Sequence, residues 1–125
     1  MPETLTHLPG RFTVCRLPPD SAIPNWAVGD LVSLTRSSQE LSIVCPEATV
    51  PATVSVELGY AVFGVEGSLD FSATGILASI LNPLKEADIP GFVISTFDTD
   101  YILIKESDLD LTARSLAAAG HTVKR

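Results

Sequence analysis

The sequence predicts an α+β fold in which an antiparallel sheet carries its helices on one face. Three observations lead there. The core must be aliphatic, because 46% of the 125 residues are hydrophobic and only 6% aromatic. Two stretches have helical apolar spacing, while the rest is short β-branched runs cut by Pro, Gly and Ser clusters. From Tyr60 onward the elements follow the order strand, helix, strand, strand, helix, strand, which is the ferredoxin-like arrangement.

Met1 to Gly10, with Pro2, Pro9 and Gly10, reads as a loose lead-in. Arg11 to Leu17 is a strand stopped by Pro18-Pro19-Asp20. Ser21 to Ala27 is expected to form one or two helical turns that pack Trp26 onto the sheet, with Pro24 near their start. Leu31 to Thr35 and Leu41 to Cys45 read as hairpin strands, and Pro46 ends the second. Glu47 to Pro51 has room for a single turn. Thr53 to Leu58 alternates as a half-buried strand does, Gly59 punctuates, and Tyr60 to Val65 is a further strand.

The first long helix is expected from about Ser72 to Ala87, capped by Asp70 or Ser72. Ile76, Leu77, Ile80, Leu81 and Leu84 recur at spacings of three and four and form its apolar stripe. Pro83 lies inside that pattern and removes the hydrogen bond to the Ser79 carbonyl, so a kink or loosened last turn is expected. Gly91 to Ile94 and Tyr101 to Lys105 are strands joined by the polar stretch Ser95-Thr96-Phe97-Asp98-Thr99-Asp100. Ser107-Asp108-Leu109-Asp110 resembles a capping box opening a second helix, with Leu109, Ala113, Leu116 and Ala117 inward and Gly120 as its stop. His121 to Lys124 closes the chain as a short strand. The first half repeats this order weakly with shrunken helices, and Leu41 to Glu47 can be laid over Tyr101 to Glu106.

Fifteen acidic against eight basic side chains give a net charge of −7, which argues against nucleic acid or an anionic membrane as a partner. No apolar run approaches the roughly 20 residues of a membrane span, and the first residues lack the features of a signal peptide. A cytoplasmic protein is expected. Cys15 and Cys45 sit in apolar runs without metal or CxxC spacing, and read as buried reduced thiols, although oxidative bridging stays open. His7 and His121 lie at opposite ends of the chain, and no HExxH or GxxxxGK[ST] occurs. Neither catalysis, nor a metal, nor a cofactor is expected.

Asp70-Phe71-Ser72-Ala73-Thr74-Gly75-Ile76, Pro83-Leu84, Asp88-Ile89-Pro90, the run from Ile94 to Ile104, and Glu106 together closely resemble the ACT-domain family, which includes small bacterial tandem-ACT proteins and the cytosolic arginine sensor of animals. Leu8-Pro9-Gly10-Arg11 and Leu41 to Glu47 look like the first ACT-like unit of the bacterial proteins. The resemblance implies tandem ferredoxin-like (ACT-like) βαββαβ units, 1–58 and 59–125. It implies a non-catalytic regulatory or sensor protein that binds an amino acid at an interface between such units and reports it to a partner. Carried over by position, the ligand residues are Asp70, Phe71, Ser72, Ala73 and Thr74 at the helix start and Thr96, Phe97, Thr99 and Asp100 in the turn. Ala73 falls where the sensor has an acidic residue. That departure counts against arginine as ligand, with Asp70 available as a displaced carboxylate.

The chemistry of an amino acid suits these groups. Free N–H groups at a helix start take a carboxylate. Asp100, with the Thr96 or Thr99 hydroxyls, takes an ammonium. Phe97 can wall off the side chain, and Gly64 or Gly67 can admit a close approach. The same residues have a purely structural reading: Asp70 and Ser72 as N-caps, Thr96, Thr99 and Asp100 as turn-closing groups, Phe97 as core. A protein-interaction or structural module with a vestigial pocket is the alternative function. A homodimer is expected because sheet edges in such folds find partners, and an amino-acid metabolic enzyme acting with the chain is a third possibility.

Overall fold

The computed structural model describes residues 2–67 and 75–125. Their strands are β1 (Thr4–His7), β2 (Phe12–Leu17), β3 (Ser33–Arg36), β4 (Leu41–Pro46), β5 (Ser55–Val65), β6 (Gly91–Ser95), β7 (Asp100–Lys105) and β8 (Thr122–Lys124). The helices are α1 (Ile76–Glu86) and α2 (Leu109–Ala118), with single 3-10 turns at Glu47–Thr49 and Glu106–Asp108. Contacts group the chain into two compact units, Gly10–Tyr60 and a second made of Met1–Pro9 with Ala61–Arg125.

In the unit Gly10–Tyr60 the strands run in the order β3, β4, β2, β5, all antiparallel. Taken in chain order this is fourth, first, third, second, the ferredoxin-like sequence of strands. Directly opposed residues share a face of a sheet, so Cys15, Ile43 and Val56 point one way, and Val14, Val44 and Glu57 the other. The first face is the core: Cys15, Leu41, Ile43 and Cys45 are buried there, and Trp26, Val32 and Val50 pack around them. The helical turns expected over Ser21 to Ala27 are not helices. They are tight turns closed by bonds such as Ala27 N–H to Pro24 C=O at 3.3 Å, because Pro24 sits in the middle of the seven residues and biases Ile23 before it away from the helical region.

The second unit holds β5 from Ala61, then α1, β6, β7, α2 and β8, with strand order β6, β7, β5, β1, β8. This is the same fourth, first, third, second order with β1 interposed between first and fourth. The expected loose lead-in is therefore corrected: Thr4–His7 pairs antiparallel to β5, with Leu5 opposite Val65, and parallel to β8, with Leu5 opposite Val123. Leu5 is fully buried. It joins Ala61, Phe63, Val65, Ile102 and Ile104 from the strands, and Ile80, Leu84 and Leu116 from the helices, in one core. Both helices thus cover one face of the sheet.

Several boundaries differ from expectation for identifiable reasons. Gly59 does not separate two strands. At φ +81° it forms a bulge inside the single strand β5, where the register shifts between Phe12 opposite Tyr60 and Val14 opposite Glu57. Among the described residues helix α1 runs from Ile76, with Gly75 as N-cap and no side-chain cap; the expected start at Ser72 and the expected caps Asp70 and Ser72 lie outside the described residues. Asp108 precedes α2 without a capping bond, because Glu106–Asp108 is already a 3-10 turn. On α2 the buried side chains are Thr112, Ala113 and Leu116, while Ala117 faces outward.

Candidate functional site

The hairpin between β6 and β7 is built as the polar stretch suggests. Ser95 and Asp100 are its last opposed pair. The Thr96 amide donates to the Thr99 carbonyl at 2.8 Å, the Thr96 hydroxyl donates to that same oxygen at 3.1 Å, and the Thr99 amide donates back to the Thr96 Oγ1 at 3.2 Å. The Ser95 hydroxyl donates to Asp100 Oδ1 at 2.5 Å. Local side-chain bonds of this kind fix a turn without a glycine. They leave Asp100 Oδ2 with no hydrogen bond among the described residues.

The turn is also bonded to a residue outside the hairpin. Thr99 Oγ1 donates to the Val65 carbonyl at 2.6 Å, so the turn is held against the end of β5. Beyond Val65, Glu66 receives hydrogen bonds from Thr6 Oγ1 and from Lys124 Nζ, the latter at 3.3 Å. These two donors, the threonine first, hold its carboxyl below the usual carboxylate range. Gly67 follows, and the chain then leads toward α1. Sequence reasoning missed Glu66, whose partners lie far away at residues 6 and 124.

Asp70, Phe71, Ser72, Ala73 and Thr74 lie outside the described residues. Thr96, Thr99 and Asp100 are brought together by the bonds above. Phe97 stands at the tip of the turn with 82% of its surface exposed. Gly64 admits a ring of the chain itself: a Cβ there would lie 3.1 Å from Tyr101 Cε1. The first helical bond of α1 is Ser79 N–H to Gly75 C=O at 2.9 Å, and the amides of a helix's first turn have no acceptor within the helix.

Elsewhere Glu47 and the two cysteines serve the scaffold. Glu47 accepts from Arg11 Nη2 at 2.8 Å and from the Gly59 amide at 3.0 Å, which pins the bulge in β5. Burial raises the Glu47 carboxyl, but these two donors outweigh it and hold it below its ordinary value. Cys15 and Cys45 are buried free thiols. Burial pushes both up, Cys45 to about 11, so the thiolate needed for reaction is disfavoured. Among the described residues no group of three or more His, Cys, Asp or Glu is placed to hold a metal ion, and no helix is long and apolar enough to cross a membrane.

A sheet covered on one face by two helices, with the fourth, first, third, second strand order present in both units, defines an α+β protein of tandem ferredoxin-like construction. Comparison with known proteins makes this specific. A family profile described as the ACT domain matches residues 55–118, and a second, described as an N-terminal domain, matches residues 10–53. The crystal structure of a protein from Agrobacterium tumefaciens is similar at 42% identity with a TM-score of 0.93, covering 98% of this chain and 92% of that one. The chain belongs to the ACT-domain family. The fold is also shared with aspartate kinase from Clostridium acetobutylicum (12% identity, TM-score 0.68, 92% of this chain and 33% of that one). The ligand-free regulatory subunit of aspartate kinase from Thermus thermophilus has it too (9%, 0.61, 89% and 93%).

Proposed function

We propose that this protein is a non-catalytic regulatory sensor that binds an amino acid or similar small zwitterion, with the ligand held where ACT units meet. Membership of the ACT-domain family supports a regulatory, ligand-binding role. The observation that carries the site is the bond from Thr99 to Val65. It ties the Ser95–Asp100 turn to the strand end from which the chain runs on to Asp70, Phe71, Ser72, Ala73 and Thr74. In this reading Asp100 Oδ2, with Thr96 beside it, takes the ammonium, and amides of the segment entering α1 take the carboxylate. Phe97, Asp70 and Phe71 surround the side chain.

The wider assignment follows from the same reading. The sequence modules divide near residues 58 and 59, the protein works as a cytoplasmic homodimer, and the listener is an enzyme of amino-acid metabolism. Two of the structural neighbours are an aspartate kinase and a regulatory subunit of one. The exposure of Phe97 favours one other reading, a protein-interaction module whose pocket no longer binds.

A thermal-shift screen against the twenty amino acids separates the two. A ligand at 100 times its dissociation constant adds about 2.7 kcal/mol of stability. For the ligand that emerges, Asp100→Ala is expected to weaken binding in calorimetry far more than Asp98→Ala. Equal losses from the two variants refute the assigned role of Asp100, and a flat screen refutes the sensor in favour of the interaction module.

A further inference from the structure

We propose a second small-zwitterion site, on the face of the sheet opposite the Cys15 core in the unit Gly10–Tyr60, centred on Arg16. The register puts Arg16 directly opposite Ser42, and Val14 opposite both Val44 and Glu57. All of these project from the face away from the Cys15, Ile43, Val56 core, and Glu40 joins them two positions before Ser42. Val14, Arg16, Glu40, Ser42 and Glu57 line a hollow of about 270 Å3, with Cys15 and Val56 contributing to its wall. Half-buried Val14 gives it an apolar floor.

Arg16, Glu40 and Ser42, on the rim of the hollow, are not closed onto one another. Arg16 gives one hydrogen bond, from Nη2 to the Gln39 carbonyl at 3.2 Å, which aims the guanidinium without neutralising it. Among the described residues it has no carboxylate partner, although Glu40 and Glu57 stand on the neighbouring strands. The Glu40 carboxylate and the Ser42 hydroxyl also have no partner among the described residues. A solvent-facing sheet normally pairs opposite charges across adjacent strands. Here a cation and an anion line the same hollow unpaired, which is the arrangement a molecule carrying both signs would satisfy. Its carboxylate meets the planar fork of Arg16, and its ammonium meets Glu40.

The volume suits a single amino acid and is too small for a nucleotide. Because the charges are partly exposed, binding is weak and falls with added salt. This site does not depend on the hairpin of β6 and β7, so either can fail alone.

The test is an NMR titration of the 15N-labelled full chain with each of the twenty L-amino acids. The expected result is that at least one of them shifts the amides of Val14, Arg16, Ser42 and Glu57 saturably, with Arg16→Met and Glu40→Gln each weakening it about tenfold, as loss of one charge-assisted bond implies. Silence of those four amides toward all twenty overturns the proposal. So does an undiminished response in both variants, or an equal response to acetate or ethylammonium alone. Shifts at Thr96 to Asp100 report on the hairpin site separately, whatever happens around Arg16.

Discussion

The His121 ring fills the gap that Pro83 leaves in α1. Pro83 has no N–H to give the Ser79 carbonyl, and His121 Nε2 lies 2.8 Å from that oxygen. On its other side His121 Nδ1 accepts the Glu3 amide at 3.0 Å. A nitrogen that accepts carries no proton, so Nε2 must be the protonated nitrogen and the donor to Ser79. One buried neutral imidazole therefore satisfies both the interrupted helix and the segment entering β1. His121→Ala is expected to cost about 1–2 kcal/mol, because the half-buried Glu3 amide and Ser79 carbonyl both lose this hydrogen bond and the buried ring leaves a space.

The same geometry makes these two positions interdependent. Pro83→Ala restores an N–H that can reach Ser79 itself, so the cost of His121→Ala should shrink by about 1 kcal/mol in the Pro83→Ala background. Urea unfolding of the four proteins measures this. Additive losses would show that His121 acts by packing alone.

Pro83 illustrates what was legible. That the Ser79 carbonyl would lose its donor follows from the residue type and its place in an apolar stripe, both local. That His121 replaces the donor is a contact across 42 residues, and no local pattern encodes it. Strand β1 was missed for a related reason. Thr4-Leu5-Thr6-His7 alternates correctly but is only one short run among prolines, and its place between β5 and β8 is a long-range pairing. In the hairpin, by contrast, hydroxyls and a carboxylate over six residues specify their own local bonds, and these are what the structure has between Ser95 and Asp100. The bond from Thr99 to Val65 that gives the turn its setting is again long-range.

Two buried threonines should respond oppositely to the same substitution. Thr112 Oγ1 is buried with no hydrogen-bond partner among the described residues, so Thr112→Val removes an unsatisfied group while keeping the shape. It is expected to be neutral or to stabilise by up to about 1 kcal/mol. Thr13 Oγ1 donates to the Glu57 carbonyl at 2.8 Å, so Thr13→Val should cost about 1–2 kcal/mol. Thermal denaturation of both variants is decisive. A loss at Thr112 comparable to that at Thr13 would mean its hydroxyl has a partner after all.

The two helices end alike but with different residues at the left-handed position. After α2, the His121 amide bonds the Leu116 carbonyl at 3.1 Å and the Gly120 amide bonds Ala117 at 3.0 Å, with Gly120 at φ +99°. After α1, Ile89 bonds Leu84 at 2.9 Å and Asp88 bonds Lys85 at 3.0 Å, with Asp88 at φ +59°. A side chain in that conformation is strained, and a carboxylate opposes the negative end of the helix. Asp88→Gly is expected to stabilise by about 0.5–1 kcal/mol, and Gly120→Ala to destabilise by about 1 kcal/mol. Changes of the same sign in chemical denaturation would contradict this account of the caps.

Glu47 should make stability depend on acid in a defined direction. Burial acts to raise its carboxyl, but Arg11 and the Gly59 amide prevail, so its folded value lies below the ordinary 4.5. A carboxyl depressed in the folded state binds its proton more readily when unfolded. Its contribution is therefore complete above the unfolded value and fades as pH falls through the folded one. With Arg11 largely in water the pair is screened, so the gain at neutral pH is on the order of 1 kcal/mol. Glu47→Gln keeps the shape and an acceptor for Gly59 but loses the charge. The stability gap between wild type and this variant should be open at pH 7 and close toward pH 3. A gap that stays constant across that range would show that the carboxylate charge does not hold the bulge of β5 in place.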